Sequence, residues 1–218
     1  MEGNFPFHTF QQERGYFMSM QMSDMIFLPY KNKKYCILAY ENDWPINIEN
    51  FNIKPVLEAT LSCNWKGYES EYTLENNKYL YWDSLMFRAK DGIFPEINGV
   101  KAELIENEFE WDGKKTKIHF REYKNIMKVP YTGGLILGSG IVGDSLHNCG
   151  YLYPHAYEEV LECIFKCGEL IDIKDHSLKM AVVRNKLNKR FIFSSRKFSY
   201  DNYYSHSYKD KWDIYKRW

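Results

Sequence analysis

Short runs of β-forming residues are the feature that most constrains the fold of this 218-residue chain. Runs of Tyr, Phe, Ile, Val and Thr alternate with turn residues, and apolar residues rarely recur at the helical period of about 3.6. β-Branched and aromatic residues favour strands, while Asn, Gly and Asp favour the tight turns that join them. The sequence therefore predicts a mainly β fold of the α+β class. We expect an antiparallel β-meander, arranged as a sandwich or an open barrel, with minor helix.

The strand pattern predicts individual segments along most of the chain. Residues 31–34 and 166–168 are expected to connect two hairpins. Asn76 and Asn77 are expected to form a tight turn, because Asn tolerates a positive φ. The predicted strands are 25–30, 35–40, 56–63, 68–75, 78–88, 100–108, 115–121, 133–141, 158–165 and 169–173.

Charge is distributed unevenly between two parts of the chain. Residues 176–218 hold eleven Lys and Arg against three acids, a net charge of +8, which leaves residues 1–175 with a net charge of −8. We therefore predict an acidic, β-rich body over 1–175 and a basic, aromatic-rich C-terminal segment over 176–218. Opposite charges of this size favour packing of the segment on the body or binding of the segment to an acidic partner.

The chain between 180 and 194 fits two local structures. Two runs of β-forming residues, at 180–184 and 190–194, favour a hairpin with a basic tip. The alternative is a helix that carries four apolar residues on one face: Met180, Val183, Leu187 and Phe191. Both structures bring four basic residues together: Arg184, Lys186, Lys189 and Arg190.

A Trp-basic-Gly-Tyr sequence follows the third predicted strand. Residues 61–68 read Leu-Ser-Cys-Asn-Trp-Lys-Gly-Tyr, and a strand and a hairpin return come next. This order resembles a family of small bacterial proteins of unknown function, in which a Ser/Thr-rich strand precedes Trp-Arg-Gly-Tyr. The resemblance resumes at 131–135, 150–161 and 168–170, and it leaves 1–50 and the basic C-terminal segment unmatched. It implies a β-meander body and carries over no activity.

The residues around Gly67 allow a structural and a functional interpretation. Gly67 can take a bend that other residues resist, and Trp65 and Tyr68 can cover the neighbouring sheet, which makes the segment a structural corner. Alternatively, Trp65, Lys66 and Tyr68 form the rim of a ligand groove in which Lys66 attracts an anion. Tyr131, where the family resemblance resumes, joins them as a candidate binding residue.

The sequence predicts no cofactor and no metal. Residues 138–143 have the glycine spacing of a dinucleotide-binding loop, but the turn-rich residues 144–150 follow where a helix is required. A zinc site needs four ligands, and the available set does not have the spacing of a paired knuckle. That set is His147, Cys149, Cys163 and Cys167.

Cysteine usage and the start of the chain favour a cytoplasmic location. The five cysteines are odd in number and lack the spacing of a disulfide framework, which suits a reducing compartment. Residues 1–10 lack the basic start and apolar run of a secretory signal, and no apolar run is long enough for a membrane span. We expect no membrane partner.

The function expected from the sequence is binding of another macromolecule without catalysis. We expect the partner to be a protein, held through a sheet face or through the aromatic C-terminal segment. The alternative is nucleic acid, because cations can contact phosphates while aromatic rings stack on bases. The basic residues for that alternative are Arg184, Lys186, Lys189, Arg190, Arg196 and Lys197. A second alternative is a small enzyme with a groove near Trp65, Tyr131 and His147, although no catalytic motif supports it.

Overall fold

A computed structural model describes residues 23–56, 64, 66–89, 91–111, 114–142 and 152–186 of the chain. These residues form mainly strands with one short helix, which confirms the predicted fold class. The strands are β1 (Met25–Leu28), β2 (Lys33–Tyr40), β3 (Tyr68–Glu75), β4 (Tyr79–Phe87), β5 (Glu103–Trp111), β6 (Lys114–Lys128), β7 (Gly133–Ile141), β8 (Tyr157–Lys166) and β9 (Glu169–Asp175). The helix is α1 (Ser177–Lys186).

Seven of these strands close into a barrel. Around the ring the strand order is β3-β1-β2-β7-β8-β9-β4, and β3 pairs with β4 to complete the circle. The pair β1–β3 is parallel and the other pairs are antiparallel. The contact between β9 and β4 is limited to one register pair, Tyr79 with Glu169. β6 and then β5 continue the sheet outward from β4.

Asn and Gly form the tight connections, as the sequence predicts. Asn76 and Asn77 have φ values of 53° and 57°, in the left-handed region that Asn tolerates. They join β3 to β4, whose register runs from Tyr68 opposite Phe87 to Glu75 opposite Tyr79. Most of the predicted strand 56–63 lies outside the described residues.

Alternating residues of the strands fill the barrel with aromatic and aliphatic side chains. In β3 the buried positions alternate with partly exposed ones, as expected for a strand with one face on a core. The largest fully buried side chains are Trp82, Tyr35, Tyr123, Phe87 and Phe165. Removal of each side chain of this size from water stabilises the fold by roughly 1.5–3 kcal/mol.

The helix α1 corrects the favoured prediction of a hairpin at 180–194. Over 180–186 the chain is helical, and 187–194 lie outside the described residues. The β-forming residues misled the prediction because burial outweighs intrinsic propensity: Met180 and Val183, three residues apart, are buried on one helix face. They pack in a cluster with Leu38 and Ile136 on the outside of the barrel.

No helix in the described part of the chain combines the length and apolar character that a membrane crossing needs.

Candidate functional site

Lys66 forms a buried ion pair just before β3. Its Nζ donates a hydrogen bond to Oδ1 of Asp24, which immediately precedes β1. The Lys66 side chain is 12% exposed and that of Asp24 is 1% exposed. The Lys66 ammonium also lies 4.5 Å from the ring centroid of Tyr68 and 5.7 Å from that of Trp44, within the range of cation–π attraction. The charge of Lys66 is therefore matched inside the protein.

Asp24 connects this ion pair to the barrel interior. Its carboxylate accepts a hydrogen bond from the backbone N–H of Ser70 at 3.2 Å, and its backbone carbonyl accepts one from Ile37 N–H at 2.8 Å. The Ser70 hydroxyl in turn accepts a hydrogen bond from Trp82 Nε1 at 2.6 Å. Burial, with a smaller effect of the Asp24 charge, raises the pKa of Tyr72 well above its ordinary value. The ion pair thus fixes the positions of β1, β2 and β3.

Gly67 takes the bend expected from the sequence. Its φ is 74°, and a Cβ at this position would lie 2.5 Å from the carbonyl oxygen of Val56. Only glycine fits both the dihedral angle and the close approach of the backbone. Trp65, the neighbouring candidate residue, lies outside the described residues.

Tyr131 anchors the segment that follows β2. Its hydroxyl donates a hydrogen bond to the backbone carbonyl of Glu41 at 2.6 Å and lies 3.0 Å from that of Gly134. The Glu41 carboxylate accepts a hydrogen bond from Gly134 N–H at 3.0 Å. Burial raises the pKa of the Tyr131 hydroxyl. The anchored segment continues to Trp44, which contacts Lys66, so Tyr131 and Lys66 hold the two ends of the same connection.

Arg184 holds α1 against the start of β8. Its Nη1 donates hydrogen bonds to the backbone carbonyls of His155, at 3.1 Å, and Tyr157, at 2.5 Å. Burial lowers the pKa of the guanidinium. Lys186 is exposed at the last position of α1. The remaining basic candidates lie outside the described residues: Lys189, Arg190, Arg196 and Lys197.

A second charged cluster surrounds Glu159, and no sequence motif pointed to it. The Glu159 carboxylate accepts hydrogen bonds from Lys33 Nζ and from the Tyr35 hydroxyl, both at 2.5 Å, and Lys31 Nζ lies 3.6 Å away. These donors lower the pKa of Glu159 to about 2, with the Lys33 hydrogen bond as the largest cause. The cluster joins the start of β2 to β8.

The residues considered for catalysis or metal binding do not form a site in the described part of the chain. Burial raises the pKa of the Cys163 thiol to about 12, which makes it a poor nucleophile at neutral pH. Residues 138–141 belong to β7 and pair with β8, instead of forming a loop that opens a helix. Among the described residues no group of three His, Cys, Asp or Glu could hold a metal ion. His147 and Cys149 lie outside these residues.

The strands β5 and β6 form a two-stranded extension of the barrel sheet. β6 pairs with β4 over Arg121–Lys128 and with β5 over Lys114–Glu122. The first part of β6 therefore pairs with β5 but not with β4. We call residues 103–111 and 114–120 the arm. Within the described residues, β5 pairs with β6 alone, so β5 presents one unpaired edge of the arm, and residues 114–120 of β6 present the other, which carries lysines.

The base of the arm is held firmly by the barrel side of β6. Tyr123 is fully buried, and its hydroxyl donates a hydrogen bond to the Pro95 carbonyl at 2.6 Å. The Asn98 side-chain amide donates a hydrogen bond to the Ile126 carbonyl at 3.1 Å. Ile126 is also buried. The arm thus begins from a rigid part of the molecule.

The register of the arm places oppositely charged residues across from one another. Glu106, Glu108 and Glu110 of β5 are opposed in register by His119, Lys117 and Lys115. Glu108 also forms an ion pair with Lys115 at 2.8 Å. The intervening positions of β5 carry Ile105, Asn107, Phe109 and Trp111.

The strand β5 presents exposed acidic side chains. Glu103, Glu106 and Glu108 are exposed, and Leu104 is 53% exposed. Such a strand offers its outer backbone groups to another extended segment.

The strand β9 also has an exposed edge, but its sequence differs from that of β5. Ile171 is 58% exposed, and β9 pairs with β4 at one position only. Asp172 and Lys174 form an exposed ion pair at 3.8 Å on this strand. Charged side chains on an edge strand, lysine above all, discourage pairing with other chains, and the charged residues of β5 are glutamates. β5 contains no lysine.

Comparison with known protein families, with curated proteins and with solved structures found no match to this chain. The resemblance around Trp65 to a bacterial family therefore stays a prediction.

Proposed function

We propose that this chain is a protein-binding domain that accepts an extended segment of another protein along the outer edge of β5. The observation that carries the proposal is the pairing of β5 with β6 alone among the described residues. An edge strand presents N–H and C=O groups that can pair with an added strand, and this mode of recognition is common.

The position of the arm favours β5 over the barrel strands as a binding element. Most strands of the closed barrel have both neighbours and offer little backbone for pairing, and β9, which pairs with β4 at one position only, carries Lys174 at its edge. A two-stranded ladder is only marginally stable by itself, so a third strand would add hydrogen bonds and cover apolar positions. The buried base around Tyr123 pre-orients the arm, which lowers the entropy cost of binding.

The test compares three forms of the protein as bait in an extract of the native host. The first is the full chain. In the second, residues 105–120 are replaced by Asn-Gly, since Leu104 and Arg121 are opposed in register and a two-residue loop can join them. The third ends at Lys186 and lacks the remaining basic segment. Circular dichroism establishes that all three are folded before use.

We expect a protein partner that the full chain and the form ending at Lys186 retain and that the form without the arm loses. Nuclease treatment should leave this partner bound. Retention by the form without the arm would contradict binding at β5. Recovery of nucleic acid only, with loss when 187–218 are removed and a steep decrease with salt, would support the nucleic-acid alternative instead.

A further inference from the structure

The internal pairing of the arm shows which strand chemistry β5 accepts. The β6 strand opposite β5 reads Lys-Lys-Thr-Lys-Ile-His-Phe-Arg from Lys114 to Arg121. In register, Lys115, Lys117 and His119 oppose Glu110, Glu108 and Glu106, whereas Glu103 is opposed by Glu122. Opposite charges placed directly across a ladder stabilise the pairing. The same glutamates would be cross-strand neighbours of any strand added at the outer edge.

A second copy of β5 is a poor occupant of this edge. In an antiparallel pair, residues directly opposite one another share a face. One antiparallel register of two β5 strands would place Glu106 and Glu108 of one copy opposite glutamates of the other. Like charges in these positions destabilise a ladder. A shift by one residue would place glutamates opposite residues such as Ile105 and Asn107. The glutamates therefore disfavour antiparallel self-pairing and favour a partner with basic residues at the opposing positions.

We infer that the segment bound by β5 is an extended strand of another protein with Lys or Arg at alternate positions and apolar residues between them. This inference rests on the proposed function, because it describes the partner of the same edge. The basic positions would oppose Glu106 and Glu108 on one face. The apolar positions would fall in register with the residues of β5 that alternate with the glutamates, such as Ile105.

Synthetic peptides test this chemistry on the full chain. The probe is a capped eight-residue peptide with Lys at alternate positions and Ile, Val or Phe between them. One control peptide carries Glu in place of Lys, and another has the probe composition in scrambled order. Fluorescence anisotropy measures affinity up to millimolar peptide, and amide hydrogen exchange locates the protected residues.

A charge-reversal variant supplies the matched comparison. The variant is Glu106→Lys with Glu108→Lys, and its control is Glu49→Lys with Asp172→Lys, which reverses two exposed acids outside the arm. We expect the probe to bind the native chain, to slow exchange at 103–111, and to bind the arm variant about tenfold more weakly. The Glu peptide should bind the arm variant more tightly than it binds the native chain. The control variant should bind the Lys probe with the affinity of the native chain.

Failure of this inference can be told apart from failure of the proposed function. Equal binding of the Lys, Glu and scrambled peptides would overturn the inference, as would absence of protection at 103–111 by the Lys peptide. The proposed function would still stand if the partner captured from the host depends on the arm. If that capture also survives removal of the arm, both proposals are wrong.

Discussion

At the scale of single residues, the most informative feature is the buried pair of Asp24 and Lys66. A buried charge is costly unless it is paired, and loss of one partner leaves the other uncompensated. The sequence predicted that Gly67 bends the chain. It did not reveal the partner of Lys66, because Asp24 is distant in the sequence and no local pattern links the two residues.

Substitution of one member of the pair is expected to destabilise the protein strongly. Asp24→Asn or Lys66→Met should each lower the free energy of unfolding by about 3 kcal/mol or more, because each leaves a buried charge without its partner. The double substitution should cost less than the sum of the two. Urea denaturation measures all three, with Lys54→Met at an exposed ion pair as the control. Additive losses would show that the two charges do not interact.

The Glu159 cluster predicts a specific dependence of stability on pH. The pKa of the Glu159 carboxyl is lowered from 4.5 to about 2 in the folded state, so the folded protein favours the charged form. The resulting stabilisation is complete above the unfolded-state pKa and is lost as the pH falls towards the folded-state value.

We therefore expect Glu159→Gln to be less stable than the native chain at neutral pH. The difference in the free energy of unfolding between the two proteins should narrow steadily below about pH 4.5, because the Glu159 carboxyl of the unfolded chain takes up protons there. Urea denaturation of both proteins from neutral pH to about pH 3 measures this difference. If the difference in unfolding free energy stays constant over this pH range, the charged carboxylate does not stabilise the fold.

At the scale of elements, the turns and strands were predicted from the sequence more accurately than the helix was. Asn76 and Asn77 predicted the β3–β4 turn because their preference is local. The region of α1 was harder, since Val182 and Val183 favour strands when considered alone. The buried contacts of Met180 with the barrel decide the structure, and these contacts are not visible in the sequence.

Arg184 is expected to be important for docking of α1. Arg184→Met should destabilise the protein by about 1–2 kcal/mol, since the carbonyls of His155 and Tyr157 lose their donor. Lys186→Met, at an exposed position of the same helix, should have little effect. Thermal denaturation and amide exchange in 177–186 measure both variants. If the two variants have equal thermal stability and equal amide exchange in 177–186, the Arg184 contacts do not hold the helix.

At the scale of the whole molecule, the β class was predictable but the closure of the barrel was not. Closure depends on pairings between distant strands, such as β2 with β7 and β1 with β3, which leave no periodic pattern in the sequence. The arm was only partly predicted. Strands at 100–108 and 115–121 were predicted, but the full length of β6 depends on its pairing with β4 along one edge and with β5 along the other.

Amide hydrogen exchange of the purified complex with the captured partner tests binding at β5 most directly. Backbone hydrogen bonds to an added strand slow the exchange of the amides that form them. We predict slower exchange at 103–111 on binding and unchanged exchange at 171–175, on the other exposed edge. Unchanged exchange at 103–111, together with new protection elsewhere in the chain, would contradict the account.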